Sequence, residues 1–222
     1  MRILQSSESQ QVVYWGKLSI KMFSLRKPST ESVQGFLSDQ KNRDFTYSAV
    51  GGTAGTPPAG FVVDHTRIKL GEGERVFDAM KTAIKCWEHF QLGWAESSSR
   101  DIPIEKGQVV GVMARVFGLW CLNACRIVSV IDETGDINRY GFVYGTLPGH
   151  VESGEERFQV EWNRSDETVW YDILAFSRPN HFLTRLGYPM VRRIQKKFAS
   201  DSAAAMQLAV KKLSGGNQHP SI

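Results

Sequence analysis

At 222 residues, with 41% hydrophobic side chains and a formal charge of +4, the chain is long enough for one domain with a sizeable core. It contains no run of about 18 apolar residues that would span a bilayer as a helix. Cys86, Cys121 and Cys125 are an odd count without dense spacing, which speaks against a secreted disulfide scaffold and for free thiols in a reducing, cytoplasmic compartment. Cys121-x-x-x-Cys125 has no second Cys/His pair at zinc spacing, so neither a metal nor a cofactor is expected.

Residues 1–21 are rich in Ser and Gln and show little core signal, which marks a flexible N-terminal extension; organelle import through it is an alternative that its Glu8 and weak Arg pattern argue against. A single domain is expected over 22–213, followed by a disordered tail over 214–222. Pro28-Ser-Thr-Glu opens a short helix to about Gln40, capped by Ser29 or Thr30, with Val33, Phe36 and Leu37 on one face. Gly and Pro punctuate 51–60 as a loop.

Phe61 to Leu70 alternates as a strand, and Gly71-Glu-Gly73 turns it into a helix with Val76, Phe77, Met80, Ala83, Ile84 and Trp87 on one face. The third glycine of a dinucleotide fingerprint is replaced there by Val76, and strands rather than strand-helix alternation follow. A short strand is expected at Gly93 to Glu96. Five more follow: Gln108 to Phe117, Cys125 to Asp132, Tyr140 to Thr146, Arg157 to Trp162 and Thr168 to Phe176. Strands this close in sequence pair mostly as antiparallel hairpins. Val110, Val112, Ala114 and Val116 share a face; Phe158, Val160 and Trp162 share another, with Gln159 and Glu161 turned away.

The apolar face of that sheet needs cover. A helix starting near Ser177 or Asn180 supplies it through Leu183, Leu186, Met190, Val191, Ile194 and Phe198, with Pro189 kinking or splitting it. Ser200 or Asp201 caps a last helix to about Leu213. Arg178, Arg185, Arg192, Arg193, Lys196, Lys197, Lys211 and Lys212 face a single acid, Asp201, over this region, which makes either a solvated basic helix face or a surface for an anionic partner. The element order predicts an α+β fold, a curved antiparallel sheet of about seven strands wrapped around a long C-terminal helix. That is the helix-grip arrangement of START-like proteins, which enclose a ligand cavity between sheet and helix.

Gly141-Phe-Val-Tyr-Gly-Thr-Leu-Pro-Gly-His-Val-Glu-Ser-Gly-Glu-Glu-Arg-Phe158, Val169-Trp-Tyr-Asp-Ile-Leu-Ala-Phe-Ser-Arg-Pro179, His181-Phe-Leu-Thr-Arg-Leu-Gly-Tyr-Pro189 and Gln195-Lys-Lys-Phe198 resemble the motifs of uncharacterised protein family 0548, in a plant-type version. The resemblance runs from about Met22 to Lys212. It implies a START-like fold and no particular activity.

The turn His150-x-Glu152-x-x-Glu155-Glu156 brings an imidazole and three carboxylates within seven residues, which serve either as solvated loop charges or as a centre for acid/base or hard-metal chemistry. Period two places Glu156 on the face of Phe158, Val160 and Trp162. A carboxylate there needs a partner, and Arg126 on a neighbouring strand is the candidate. Val116 to Cys125 carries no charge, so its tip is either packed or exposed to a membrane. Gly-x-Ser-x-Gly, HExxH and P-loop motifs are absent, and the basic residues lie apart from the aromatic strands, which argues against a nucleic-acid platform. The expected function is non-enzymatic binding or transport of a small apolar molecule or lipid, with Arg126, Tyr144, His150, Glu156 and Trp162 at the ligand and no catalytic residue. Leu119, Trp120, Arg192 and Arg193 are the expected contacts for transient docking at an anionic membrane. The alternatives are an enzyme of hydrolase, cyclase or isomerase type working at Glu156, and a structural interaction module.

Overall fold

The computed structural model describes residues 23–180 and 187–215. The expectations for residues 1–21, for the segment 181–186 and for the tail beyond Gly215 lie outside the described residues. The elements in order are β1 (Phe23–Ser24), α1 (Thr30–Gln40), β2 (Val62–Glu72), α2 (Glu74–Lys85), β3 (Ala95–Ser97), β4 (Val109–Val116), β5 (Leu119–Glu133), β6 (Ile137–Thr146), β7 (Glu152–Asn163), β8 (Thr168–Pro179) and α3 (Tyr188–Gly215). Seven strands form one antiparallel sheet in the order β2-β8-β7-β6-β5-β4-β3, and β1 adds to β5 beyond the end of β6. The sheet curls around α3. The chain therefore has the helix-grip, START-like fold.

Register explains the concave face. Phe142 lies opposite Phe158, and Phe158 opposite Ile173, so their side chains stack across three strands. Phe158 and Val160 are fully buried and Trp162 nearly so. α2 packs its apolar stripe of Phe77, Met80, Ala83 and Ile84 against this layer together with Ala203, Met206 and Ala209 from the second half of α3. Gln159 and Glu161 do face the other way, yet they too are buried. The outer surface there carries a chain of ion pairs in which Arg139 and Arg67 hold Glu161, and Arg67 and Arg157 hold Asp172.

α1 starts as its sequence dictates: Ser29 accepts the Ser32 N–H as N-cap. Its Val33 and Phe36 cover the outer face of β4 and β5, meeting Val109, Met113, Leu122 and Ala124. This part of the sheet is thus buried on both sides. That accounts for the charge-free run Cys121 to Cys125, and the part before it is not a long connection. Phe117 and Gly118, both at positive φ (53° and 81°), make a two-residue turn, and strand resumes at Leu119.

The C-terminal region corrects two expectations and bears on a third. β8 continues to Pro179, so the helix does not begin near Ser177. Pro189 sits in the first turn of α3, where its missing N–H costs nothing and the helix from Tyr188 onward continues past it; the part of the expected helix over 181–186 lies outside the described residues. No second cap forms at Ser200 or Asp201, because α3 runs unbroken for 28 residues. Asp201 instead accepts from the Trp94 indole at 2.7 Å.

Candidate functional site

A cavity of about 700 Å³ lies between the concave face and the first half of α3. Its apolar wall includes Ile68, Val112, Ile173, Val191, Ile194 and Phe198. One row of the sheet register supplies much of its polar floor: Tyr144 stands opposite Glu156, Glu156 opposite Ala175, and Ala175 opposite Asp64. Since residues in one register row share a face, three polar side chains from three strands converge there.

The Tyr144 hydroxyl donates to Glu156 at 2.8 Å. Burial raises the Glu156 carboxyl to about 7, against the Tyr144 hydrogen bond, which favours its charge. Burial, with the Glu156 charge adding to it, pushes the Tyr144 phenol well above its usual range. Near the mouth, Arg192 of α3 grips Asp64 of β2 through both terminal nitrogens, each at 2.5 Å. Gln195, one turn on, donates to Glu152 and to the Ser177 hydroxyl. Glu152 is 7% exposed, its carboxyl is raised by burial, and its Oε1 has no hydrogen-bond partner among the described residues. His150 accepts the Glu152 N–H at Nδ1, 2.9 Å away, and burial lowers its imidazole to about 4, so it stays neutral.

Of the residues expected at the ligand, Tyr144, His150 and Glu156 line this cavity. Arg126 and Trp162 do not. Arg126 falls in the neighbouring register row, opposite Gly145, and so projects from the outer face. There it donates to the carbonyls of Gln40 and Lys41 at the end of α1, at 3.1 and 2.8 Å, and lies over the Phe45 ring. The expected Arg126–Glu156 pair is therefore replaced by Tyr144–Glu156. Trp162 packs against Phe77 in the core.

Glu155 leaves the predicted cluster as well. It faces outward and accepts four hydrogen bonds: from the Tyr47 hydroxyl at 2.8 Å, the Gly51 N–H at 2.6 Å, and the Thr53 N–H and hydroxyl at 2.9 and 2.7 Å. That carboxylate pins the 46–55 loop to the sheet. Asp64 and Gln195 were missed in the sequence reading. Their signal was positional, for Asp64 alternates in phase with Thr66 and Ile68, and Gln195 borders the Ile194–Phe198 stripe. His89 was missed too, and lies fully buried among Trp87, Phe90, Phe142 and Phe158 with neither ring nitrogen partnered.

Among the described residues no cluster of three or more His, Cys, Asp or Glu side chains has metal-binding geometry, and no helix is long and apolar enough to cross a membrane.

A curled antiparallel sheet closed over a cavity by its C-terminal helix defines a START-like protein. Residues 46–205 match the family described as a domain of unknown function, DUF1990, and the chain belongs to that family; its relatives carry the name UPF0548. A UPF0548 protein of Dictyostelium discoideum is 37% identical over 217 residues, covering 89% of this chain and 98% of its own length. One from Arabidopsis thaliana is 36% identical over 66% of this chain and 72% of its own, and one from Deinococcus radiodurans 32% over 80% and 93%. The relatives thus include an amoebal, a plant and a bacterial protein. Among solved structures the chain is similar to norcoclaurine synthase of Thalictrum flavum, at 9% identity and TM-score 0.40 over 70% of this chain and 99% of that one. It is similar also to Ara h 8.0201, at 11% identity and TM-score 0.40 over 69% and 99%.

Proposed function

We propose that the protein binds a small, largely apolar molecule in the cavity beneath α3. The observation that carries this reading is the cavity itself. At about 700 Å³ it falls within the range of small-molecule sites, with apolar walls and a few convergent polar groups on rigid strands. Cys121 and Cys125, buried with their thiols shifted far upward by burial, suit a reducing setting such as the cytoplasm. Extraction of the purified protein into organic solvent followed by mass spectrometry tests the proposal. A retained hydrophobic metabolite or lipid at near-stoichiometric amount supports it. Absence of any retained molecule, together with no thermal shift across a panel of apolar compounds, overturns it.

The membrane-exchange part of the proposal is narrower than the sequence suggested. Arg192 is committed to Asp64, and Trp120 packs against the α1 cluster under Lys27, so neither is free for a bilayer. Phe117 and Leu119 at the hairpin tip and Arg193 on α3 are exposed and carry what remains of it. Sedimentation with anionic vesicles at low salt, comparing wild type with Phe117→Ser/Leu119→Ser and Arg193→Glu, tests this part on its own. Binding that both variants weaken supports it; no wild-type binding removes it.

A second reading has one observation in its favour. Glu156, with its carboxyl near neutrality and the Tyr144 hydroxyl at 2.8 Å, is suited to general acid/base work on a molecule in the cavity.

A further inference from the structure

With Arg126 on the outer face, a charge imbalance is left inside the cavity. Glu152 and Glu156 both project from β7 into it, and nearby cations are engaged elsewhere. Arg192 is paired with Asp64 and shared with Gln195. Arg157 stands on the outer face, holding Asp172 and the Thr53 carbonyl. Arg178 lies over the Phe61 ring, and His65 is paired with Asp172 on the outer face. Lys196 is exposed at the rim.

Few donors of this chain reach the two carboxylates, Gln195 being the one on the other oxygen of Glu152. Tyr144 supplies the hydrogen bond on Glu156, and Glu152 keeps Oε1 unpartnered while only 7% exposed. A buried carboxylate oxygen without a donor costs stability, and more when the group is charged. By contrast Glu155, on the adjacent outward position, is saturated with four donors from this chain. The protein therefore satisfies a buried glutamate where the role is structural, and leaves Glu152 with an unpartnered oxygen and Glu156 with a single donor among the described residues where the side chains line a cavity.

We infer that the ligand carries a protonated amine, or a similarly compact cationic donor, held in the joint field of Glu152 and Glu156 with its apolar body along the wall of Ile68, Ile173, Ile194 and Phe198. This rests on the ligand-binding reading above and adds the chemistry of the polar end. An apolar anion is disfavoured by the same arrangement, since among the described residues it would meet two carboxylates inside the cavity, with Lys196 out at the exposed rim. Burial strengthens the selection, because charges interact more strongly away from bulk water.

Three eight-carbon probes that differ only in the head group separate this inference from the reading beneath it: octylamine, octanol and octanoate, titrated calorimetrically against the full chain at pH 8. The expected order is amine, alcohol, carboxylate, with the amine at least ten-fold tighter than the alcohol. Glu152→Gln/Glu156→Gln is expected to bring amine and alcohol to within about two-fold of each other, and circular dichroism establishes that this variant is folded. Should it fail to fold, the wild-type order alone decides. Octanol or octanoate binding as tightly as octylamine overturns the inference while leaving the cavity reading intact. So does a folded double variant that keeps the full amine preference. If none of the three binds, the cavity reading falls and this inference with it.

Discussion

Tyr47 reaches Glu155 by passing over Gly145: a β-carbon at residue 145 would lie 2.1 Å from the Tyr47 hydroxyl oxygen. The glycine is thus required by close approach rather than by backbone conformation. Glu155→Ala leaves Tyr47, Gly51 and Thr53 without their acceptor, and is expected to cost about 3 kcal/mol in denaturant unfolding. Gly145→Ala is expected to be destabilising through the same contact, and the two losses combine less than additively. Full additivity would show that the glycine and the carboxylate do not act on one loop.

Phe158 sits at the centre of an aromatic cluster, within 5.5 Å of the rings of Phe90, Phe142 and Tyr144 and wholly buried. Phe158→Ala is expected to cost on the order of 3–5 kcal/mol. A loss below about 1 kcal/mol would mean that the neighbours collapse into the space, which their strand positions oppose.

His89, fully buried, and the half-buried His150 give stability a defined pH dependence. Burial lowers His89 to about 3 and His150 to about 4, from an ordinary value of 6.5. The unfolded chain therefore binds protons that the folded chain refuses. The stability from both is fully present above about pH 6.5, and is lost progressively as pH falls toward their folded values. Glu156, raised from 4.5 to about 7, acts oppositely: its contribution is present below pH 4.5 and is lost as pH rises through 7. From pH 7 to pH 5 each histidine withdraws on the order of 2 kcal/mol and Glu156 returns about as much as one of them, leaving a net loss of roughly 1–2 kcal/mol. His89→Leu removes a buried ring whose nitrogens have no partners, and is expected to flatten this dependence over that range. Melting temperatures at intervals of half a pH unit measure it. A His89→Leu curve parallel to wild type would count against the assignment.

Carbon-13 NMR of the Glu156 carboxyl is expected to show a titration midpoint near 7. Because the Tyr144 hydroxyl favours the charged form, Tyr144→Phe should move that midpoint higher still. A midpoint in the ordinary range for glutamate would indicate that water reaches the cavity floor, and would weaken the acid/base reading.

The sheet was legible in the sequence because β6, β7 and β8 follow one alternation, so that Phe158, Val160 and Trp162 could be put on the inner face from period two alone. Arg126 was assigned to the wrong face for the converse reason. β5 is covered by α1 outside and by the core inside, so Leu122, Ala124, Cys125 and Ile127 read as one apolar run with no phase. Glu155 and Glu156 could be separated by face, but only the fold shows that 46–55 curls over the outer one. Asp64 and Arg192 are 128 residues apart, and nothing local to either announces a bidentate pair. Of the two expected helix starts, Ser177 is excluded because β8 stays extended through Ser177, Arg178 and Pro179, where residue type alone suggested a cap.

The two halves of α3 are held by different forces. Ala203, Met206 and Ala209 are sunk in the core, whereas the stretch over the cavity is tied down by Arg192 to Asp64 and Gln195 to Glu152. Dissolved salt screens the first kind of attachment little and a charge pair at a cavity mouth more. Raising ionic strength should therefore loosen one end of the same rod and leave the other fixed. In hydrogen-exchange terms, amides near residues 192–197 gain speed while those near 203–209 do not, and the rate at which anything enters or leaves the cavity follows the first set.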